Sequence, residues 1–158
     1  MKMFILLLPL AVIATEITPR AQCSAASRTF YGKGCGAGGR GLAIGNTHTV
    51  PRLGQAGNLV MKGGPQGPNT PAIIHVGTKQ VSIDLTNIGM AGCTLLTAPI
   101  VGLATTFSAG GAKPVPFNIP NNKFLCGLSL HVQGVTIMPG ANTLGVIASN
   151  AIKLTIGT

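Results

Sequence analysis

Glycine and proline interrupt this chain so often that they exclude a helical fold. The chain has 23 Gly and 11 Pro in 158 residues, and after about residue 21 they leave no amphipathic stretch of helix length. Apolar and polar residues instead alternate over 81–85, 128–133 and 152–156, and the odd-numbered residues of 103–107 share one side. This period of two is typical of β-strands with one buried face and one face in water.

Turn signals separate these segments. They are Gly63-Gly64-Pro65, Gly67-Pro68, Gly110-Gly111 and the run 139–142. We count about eight or nine short strands at fairly even spacing. The pattern predicts an all-β fold, an antiparallel β-sandwich of Greek-key or jelly-roll type.

The segment around residue 115 has features of its own. Gly110-Gly111 predicts a hairpin that joins 103–107 to 115–119. Pro114, Pro116 and Pro120 cannot donate backbone hydrogen bonds, so the second strand is expected at a sheet edge. A short helical turn is expected near 121–125.

Residues 1–21 have the features of a secretory signal peptide. Lys2 supplies the positive start, an apolar stretch covers 3–14, and Ala14 and Ala21 are possible cleavage positions. Residues 22–158 then form a single β-sandwich domain that contains no membrane-spanning segment. The predicted location is secreted, extracellular or at the cell surface, although the signal alone also permits the periplasm.

The charge balance is unusual because acids are almost missing. Charged residues make up 8% of the chain, with 11 Lys or Arg against 2 Asp or Glu. Loss of the signal leaves nine basic residues against Asp84, a net charge of +8. The basic residues lie singly, aromatic residues are 4% and Trp is absent, so the pattern disfavours nucleic-acid binding. Anionic polymers and self-association remain as candidate partners.

The four cysteines predict two disulfides. Cys23, Cys35, Cys93 and Cys126 lie in an exported chain and allow three connectivities, among which spacing does not choose. They contain no CxxC pair, which disfavours a zinc site or a redox motif.

No arrangement of residues compels a particular chemistry. Asp84 could join His48, His75 or His131 in a triad, but the chain has no Gly-x-Ser-x-Gly motif and no second acid for paired-carboxylate chemistry. Residues 34–39 match GxGxxG, yet neither a helix nor an acid follows at the required place. We therefore predict no catalytic residue, no metal site and no cofactor, and a protein that is not an enzyme.

Several ordered segments resemble a known domain. They are 31–35, 84–85 with 89–95, 117–122, 125–130 with Gln133, 139–142, and 149–151 with 154–157. Together they resemble a Gly-rich domain found in many uncharacterised secreted proteins of planctomycetes and similar bacteria. The resemblance implies an exported β-sandwich-like module without catalytic residues. It also implies a Cys35–Cys93 disulfide, which leaves Cys23–Cys126 as the second bridge. At Cys126 this chain departs from the family pattern, which usually has a bulky apolar residue near that position.

Two functional hypotheses follow from these features. The first is a non-catalytic secreted structural or assembly module, or a surface interaction module, that associates with itself. The alternative is a binding module for anionic polysaccharide or cell-wall glycan, although the chain offers only Tyr31 and no Trp for stacking on sugar rings.

Overall fold

The computed structural model describes residues 23–36, 43–47, 50–64, 67, 69–108 and 111–158. The predicted signal peptide, Arg40 and His48 lie outside the described residues, as do residues 37–39 of the GxGxxG match.

Eleven strands and almost no helix make up the described chain, which confirms the predicted all-β class. The strands are β1 Ser27–Tyr31, β2 Ala43–Thr47, β3 Ala56–Lys62, β4 Thr70–Gly77, β5 Lys79–Asp84, β6 Thr94–Ala98, β7 Val101–Ser108, β8 Gly111–Ala112, β9 Val115–Asn118, β10 Ser129–Ile137 and β11 Val146–Thr155. The number exceeds the predicted eight or nine, since a strand as short as β8 is too brief to show any alternation.

The strands form three antiparallel sheets that curl into a half-barrel. The largest has six strands in the order β1-β11-β10-β4-β7-β8, and the others are β2-β3-β9 and β5-β6. We call the face of the large sheet that packs on β2-β3-β9 its inner face, and the face that packs on β5-β6 its outer face. Two neighbouring residues of β10 face opposite sides of the sheet. A Cβ atom at Gly134 would overlap the Met61 sulfur of β3, so Gly134 lies on the inner face. The Gln133 side chain is hydrogen-bonded to β6, so it lies on the outer face.

The core lies between the inner face and β3. Ile152 and Leu154 on β11 pack with Leu59 and Met61 on β3, and all four side chains are fully buried. Ile156 is also buried, at 3% exposed, so the alternation predicted over 152–156 is confirmed. Burial of apolar area of this kind is the main term that stabilises a domain of this size.

The predicted hairpin between 103–107 and 115–119 is wrong. β7 turns back through β8, with Phe107 opposite Ala112, whereas β9 pairs with β3 in the smaller sheet. Pro114 and Pro116 lack the N–H groups that a longer ladder beside β7 would need, so the chain leaves that sheet after β8. β9 does lie at an edge, as predicted, and the helical turn appears at Lys123–Leu125.

The predicted buried face of 81–85 is wrong in part. Ile83 is 51% exposed, and Val81 and Leu85 are half-buried. β5 pairs with β6 alone, and their register shifts between Gln80 and Ile83. A register irregularity changes which side a residue faces, so an alternating pattern no longer marks burial after it.

Candidate functional site

Two disulfides tie the start of the described chain to the sheets. Cys23 bonds to Cys126 and Cys35 to Cys93, with Cα–Cα distances of 5.5 Å and 5.0 Å. The family resemblance implied the Cys35–Cys93 pair, and Cys23–Cys126 was the pair that remained. Cys35 and Cys93 are buried, and the Cys35 sulfur accepts a hydrogen bond from the N–H of Ala148 at 3.1 Å. The Cys35–Cys93 bridge therefore belongs to the core, and its role is structural.

The polar side of β10 is buried, contrary to expectation. The alternation over 128–133 predicted that His131 and Gln133 face water, yet they are 6% and 0% exposed. The β5-β6 hairpin covers them on the outer face. The sequence of β10 carries no signal for this, because the covering strands come from a distant part of the chain.

Gln133 uses its whole amide to hold that hairpin in place. Its Oε1 accepts from the N–H of Leu96 at 2.8 Å, and its Nε2 donates to the carbonyls of Thr94 at 2.8 Å and Ser149 at 2.9 Å. The side chain thus links β6 to β11 across β10. Sequence reasoning missed this residue, and its hydrogen bonds indicate a structural role.

Tyr31 and His131 form a second polar contact under the same hairpin. The Tyr31 hydroxyl lies 2.8 Å from Nδ1 of His131 and donates to the carbonyl of Leu96 at 3.2 Å. Burial lowers the pKa of His131, and the positive charge of Lys153 lowers it further. Burial raises the pKa of Tyr31. The pair is therefore uncharged near neutral pH, which suits a buried contact.

Asp84 does not join either histidine. It lies on the exposed hairpin, where its carboxylate accepts from the N–H of Thr86 at 2.7 Å. Hydrogen bonds from the Thr86 side chain and backbone lower its pKa. Across the described residues, no three His, Cys, Asp or Glu side chains gather as metal ligands would. Of the three candidate triad histidines, His48 lies outside the described residues.

We predict that acid weakens the fold through His131, which is buried, and His75, which is half-buried. Burial lowers the pKa of His131 and of His75 from the ordinary 6.5, so below that pH the unfolded chain binds more protons than the folded one. The free energy of unfolding should fall as pH drops below about 6.5 and level off below the folded pKa values. Urea unfolding from pH 7.5 to 4.5 measures this, and His131→Gln should flatten the slope.

The matched control is Asp84→Asn, which should leave the slope between pH 7.5 and pH 4.5 unchanged. The pKa of Asp84 is lowered from an ordinary 3.8, so the stabilisation that its carboxylate contributes is lost only at a pH below 3.8. Stability that rises between pH 7 and pH 5 in the unmodified protein would contradict the assignment to neutral histidines.

Two hollows on the surface carry little chemistry. One, of about 370 Å³, lies beside β7 and is lined by 104–106 and 113–116, with Lys113 as its ionisable side chain. The other, of about 310 Å³, adjoins Cys35 and is lined by small residues and Asn142. Neither brings an acid and a base together, so neither forms a catalytic arrangement.

Half of the outer face is mostly apolar and uncovered, with Thr106 opposite Pro71 as a polar residue on it. We call this surface the outer patch and define it by Pro71, Ile73, Ala104, Val135 and Ile137. Ile73 lies opposite both Val135 and Ala104 in the ladders, so the three share one face. Ile73 and Ile137 are 42% and 47% exposed. The β5-β6 hairpin covers the other half of this face, around Gln133 and Gly77.

Basic side chains are exposed and scattered. The described residues hold eight Lys or Arg, all exposed, and Asp84 as their acid. They are Arg28, Lys33, Arg52, Lys62, Lys79, Lys113, Lys123 and Lys153. Five residues define the outer patch, and none of them is charged.

No protein-family model, no curated protein and no solved structure matches this chain. The resemblance to the planctomycete domain therefore stays a prediction. In the described residues, no helix has the length and apolar character needed to cross a bilayer.

Proposed function

We propose that this protein is a non-catalytic structural or assembly module of the cell exterior, whose copies associate through the outer patch. The observation that carries the proposal is the patch itself, an exposed sheet face whose five defining residues are apolar. Large exposed apolar patches mark association sites more often than chance, because water is released when they are covered. The two disulfides fit an oxidising environment outside the cytoplasm.

The charge distribution supports association at this place. The net positive charge makes copies repel one another at most contacts. The five residues that define the outer patch are neutral, and the nearest basic residue that lines a hollow with one of them is Lys113, beside Ala104. His75 adjoins the patch across Gly102, and burial lowers its pKa, so it too is uncharged near pH 7.

The polar groups support a non-catalytic role. The side-chain amides of Gln133, Asn142 and Asn150 form hydrogen bonds with backbone groups of the same chain. Such side chains specify packing between strands and leave few groups for a substrate.

Light scattering of the purified protein over a range of concentrations tests the proposal. We expect the apparent mass to rise with concentration, and Ile73→Lys to reduce it by placing a charge at the centre of the patch. The matched control is Ile88→Lys, because Ile88 is 59% exposed on the 3₁₀ turn Thr86–Ile88, outside the patch. A protein that remains monomeric at millimolar concentration would overturn the proposal.

A second candidate function is binding of an anionic polysaccharide or cell-wall glycan. The observation that favours it is that the described residues hold eight exposed basic side chains against Asp84. Retention on a uronic-acid polymer that salt abolishes, with no retention on a neutral glucan, would support it. Equal behaviour on the two polymers at low salt would dismiss it.

A further inference from the structure

The first strand is the unprotected edge of the six-stranded sheet. β1 pairs with β11 over five consecutive residues without a bulge, and its other side has no partner strand in the described part of the chain. Residues 27–30 are exposed, and Phe30 is 53% exposed. The opposite edge differs, because β8 has only two residues and Pro114 and Pro116 follow it. Proteins blunt edges with Pro, charged side chains, bulges or very short strands, and of these β1 has only the charge of Arg28.

Both disulfides hold this edge in position. Cys23 lies four residues before Ser27, and Cys35 lies four residues after Tyr31. The Tyr31 side chain is fixed by its hydroxyl contacts with His131 and Leu96. An edge that is already ordered loses little conformational entropy when another strand pairs with it.

We propose that β1 of a second copy pairs with this edge, antiparallel, about a two-fold axis through Thr29. This register places Thr29 opposite its own copy, Arg28 opposite the partner copy's Phe30, and Ser27 opposite the partner copy's Tyr31. The two large sheets then form one continuous sheet of twelve strands. The inference rests on the proposed function, that copies associate, but it concerns a different surface from the outer patch.

The two-fold symmetry and the sequence of β1 select this register. An axis through Arg28 would set two arginines directly opposite each other, and like charges in that position are destabilising. An axis through Phe30 would extend the pairing into Gly32, whose φ of +66° ends the strand, so fewer residues would pair. The axis through Thr29 uses all five residues and brings Arg28, which already has an interaction within its own chain, next to an aromatic ring.

The two surfaces together would give an assembly larger than a dimer. The edge and the outer patch are different surfaces, and each would contact the same surface of another copy in an isologous way. A protomer with two such interfaces joins a partner through each, so assembly continues past the dimer, to a closed dihedral oligomer where the two axes meet and to an open fibre where they do not. This outcome suits a structural role at the cell exterior.

A single cysteine on the axis tests the register. In the proposed pair, Thr29→Cys places two thiols face to face, whereas the thiols of Ser27→Cys lie about 14 Å apart, four residues along the strand. Oxidation, or a short bifunctional thiol crosslinker, should link the Thr29→Cys protein into covalent dimers and leave the Ser27→Cys protein unlinked. Peptide mapping checks that both native disulfides stay intact. Equal linking of the two variants, or no linking of Thr29→Cys, would overturn the register.

Charge variants separate this inference from the proposed function. Thr29→Lys should weaken edge pairing at least tenfold, while Thr143→Lys adds the same charge at an exposed turn and should change nothing. With both interfaces present, Thr29→Lys and Ile73→Lys each stop assembly at a dimer, and the double variant is a monomer. If the unmodified protein assembles and Thr29→Lys assembles equally, the edge inference fails and the proposed function stands. If the unmodified protein never assembles, both fail.

Discussion

The double variant Cys35→Ala with Cys93→Ala is expected to lose about 4 kcal/mol of unfolding free energy, because the bridge closes a long loop in the unfolded chain. The two cysteines are separated by 58 residues, and removing the link restores the conformational freedom of that whole segment to the unfolded state. Both side chains are also buried, so the shorter alanines leave a small void beside Ala148. Urea unfolding at pH 7 under non-reducing conditions measures the loss.

The second disulfide supplies the comparison for that result. Cys23 and Cys126 are separated by 103 residues, so chain entropy alone predicts a slightly larger effect for the variant that lacks them. Both residues are only half-buried, however, whereas Cys35 and Cys93 are buried. We expect the smaller loss from this variant, because its alanines leave no void in the core. A loss below 1 kcal/mol for the Cys35–Cys93 variant would contradict its assignment to the core.

Gln133→Leu is expected to cost about 3 to 5 kcal/mol, because three hydrogen bonds are lost together and the backbone groups they served stay buried. The N–H of Leu96 and the carbonyls of Thr94 and Ser149 would each lack a partner. Leucine has a similar size, so the loss reports hydrogen bonding more than packing. Chemical denaturation gives the energy, and hydrogen exchange at the Leu96 amide should speed up as the hairpin loosens.

Gln80→Leu is the matched control for that variant. Gln80 lies exposed on β5, so the same chemical change should alter stability by less than about 0.5 kcal/mol. Equal effects of the two substitutions would show that the amide network of Gln133 does not hold β5-β6 against the large sheet.

The local sequence determined which segments form strands, and it also determined that β9 lies at a sheet edge. Period-two alternation predicted β11, and the burial of Ile152, Leu154 and Ile156 confirmed its inner side. Prolines near β9 predicted an edge strand, because a missing N–H is a property of the residue itself. The four cysteines likewise predicted two disulfides without reference to the fold.

Only the tertiary structure decided which strands meet and which faces are covered. His131 and Gln133 alternate with apolar residues as a wet face would, yet β5-β6 buries them. Ile73 shows the reverse, since an apolar residue in a strand remains 42% exposed on the outer patch. The prolines near β9 explain why the chain leaves the sheet of β7, but only the tertiary structure shows that β9 then pairs with β3. Alternation records only that a strand has two different sides, whereas the layer that packs on each side comes from residues far away along the chain.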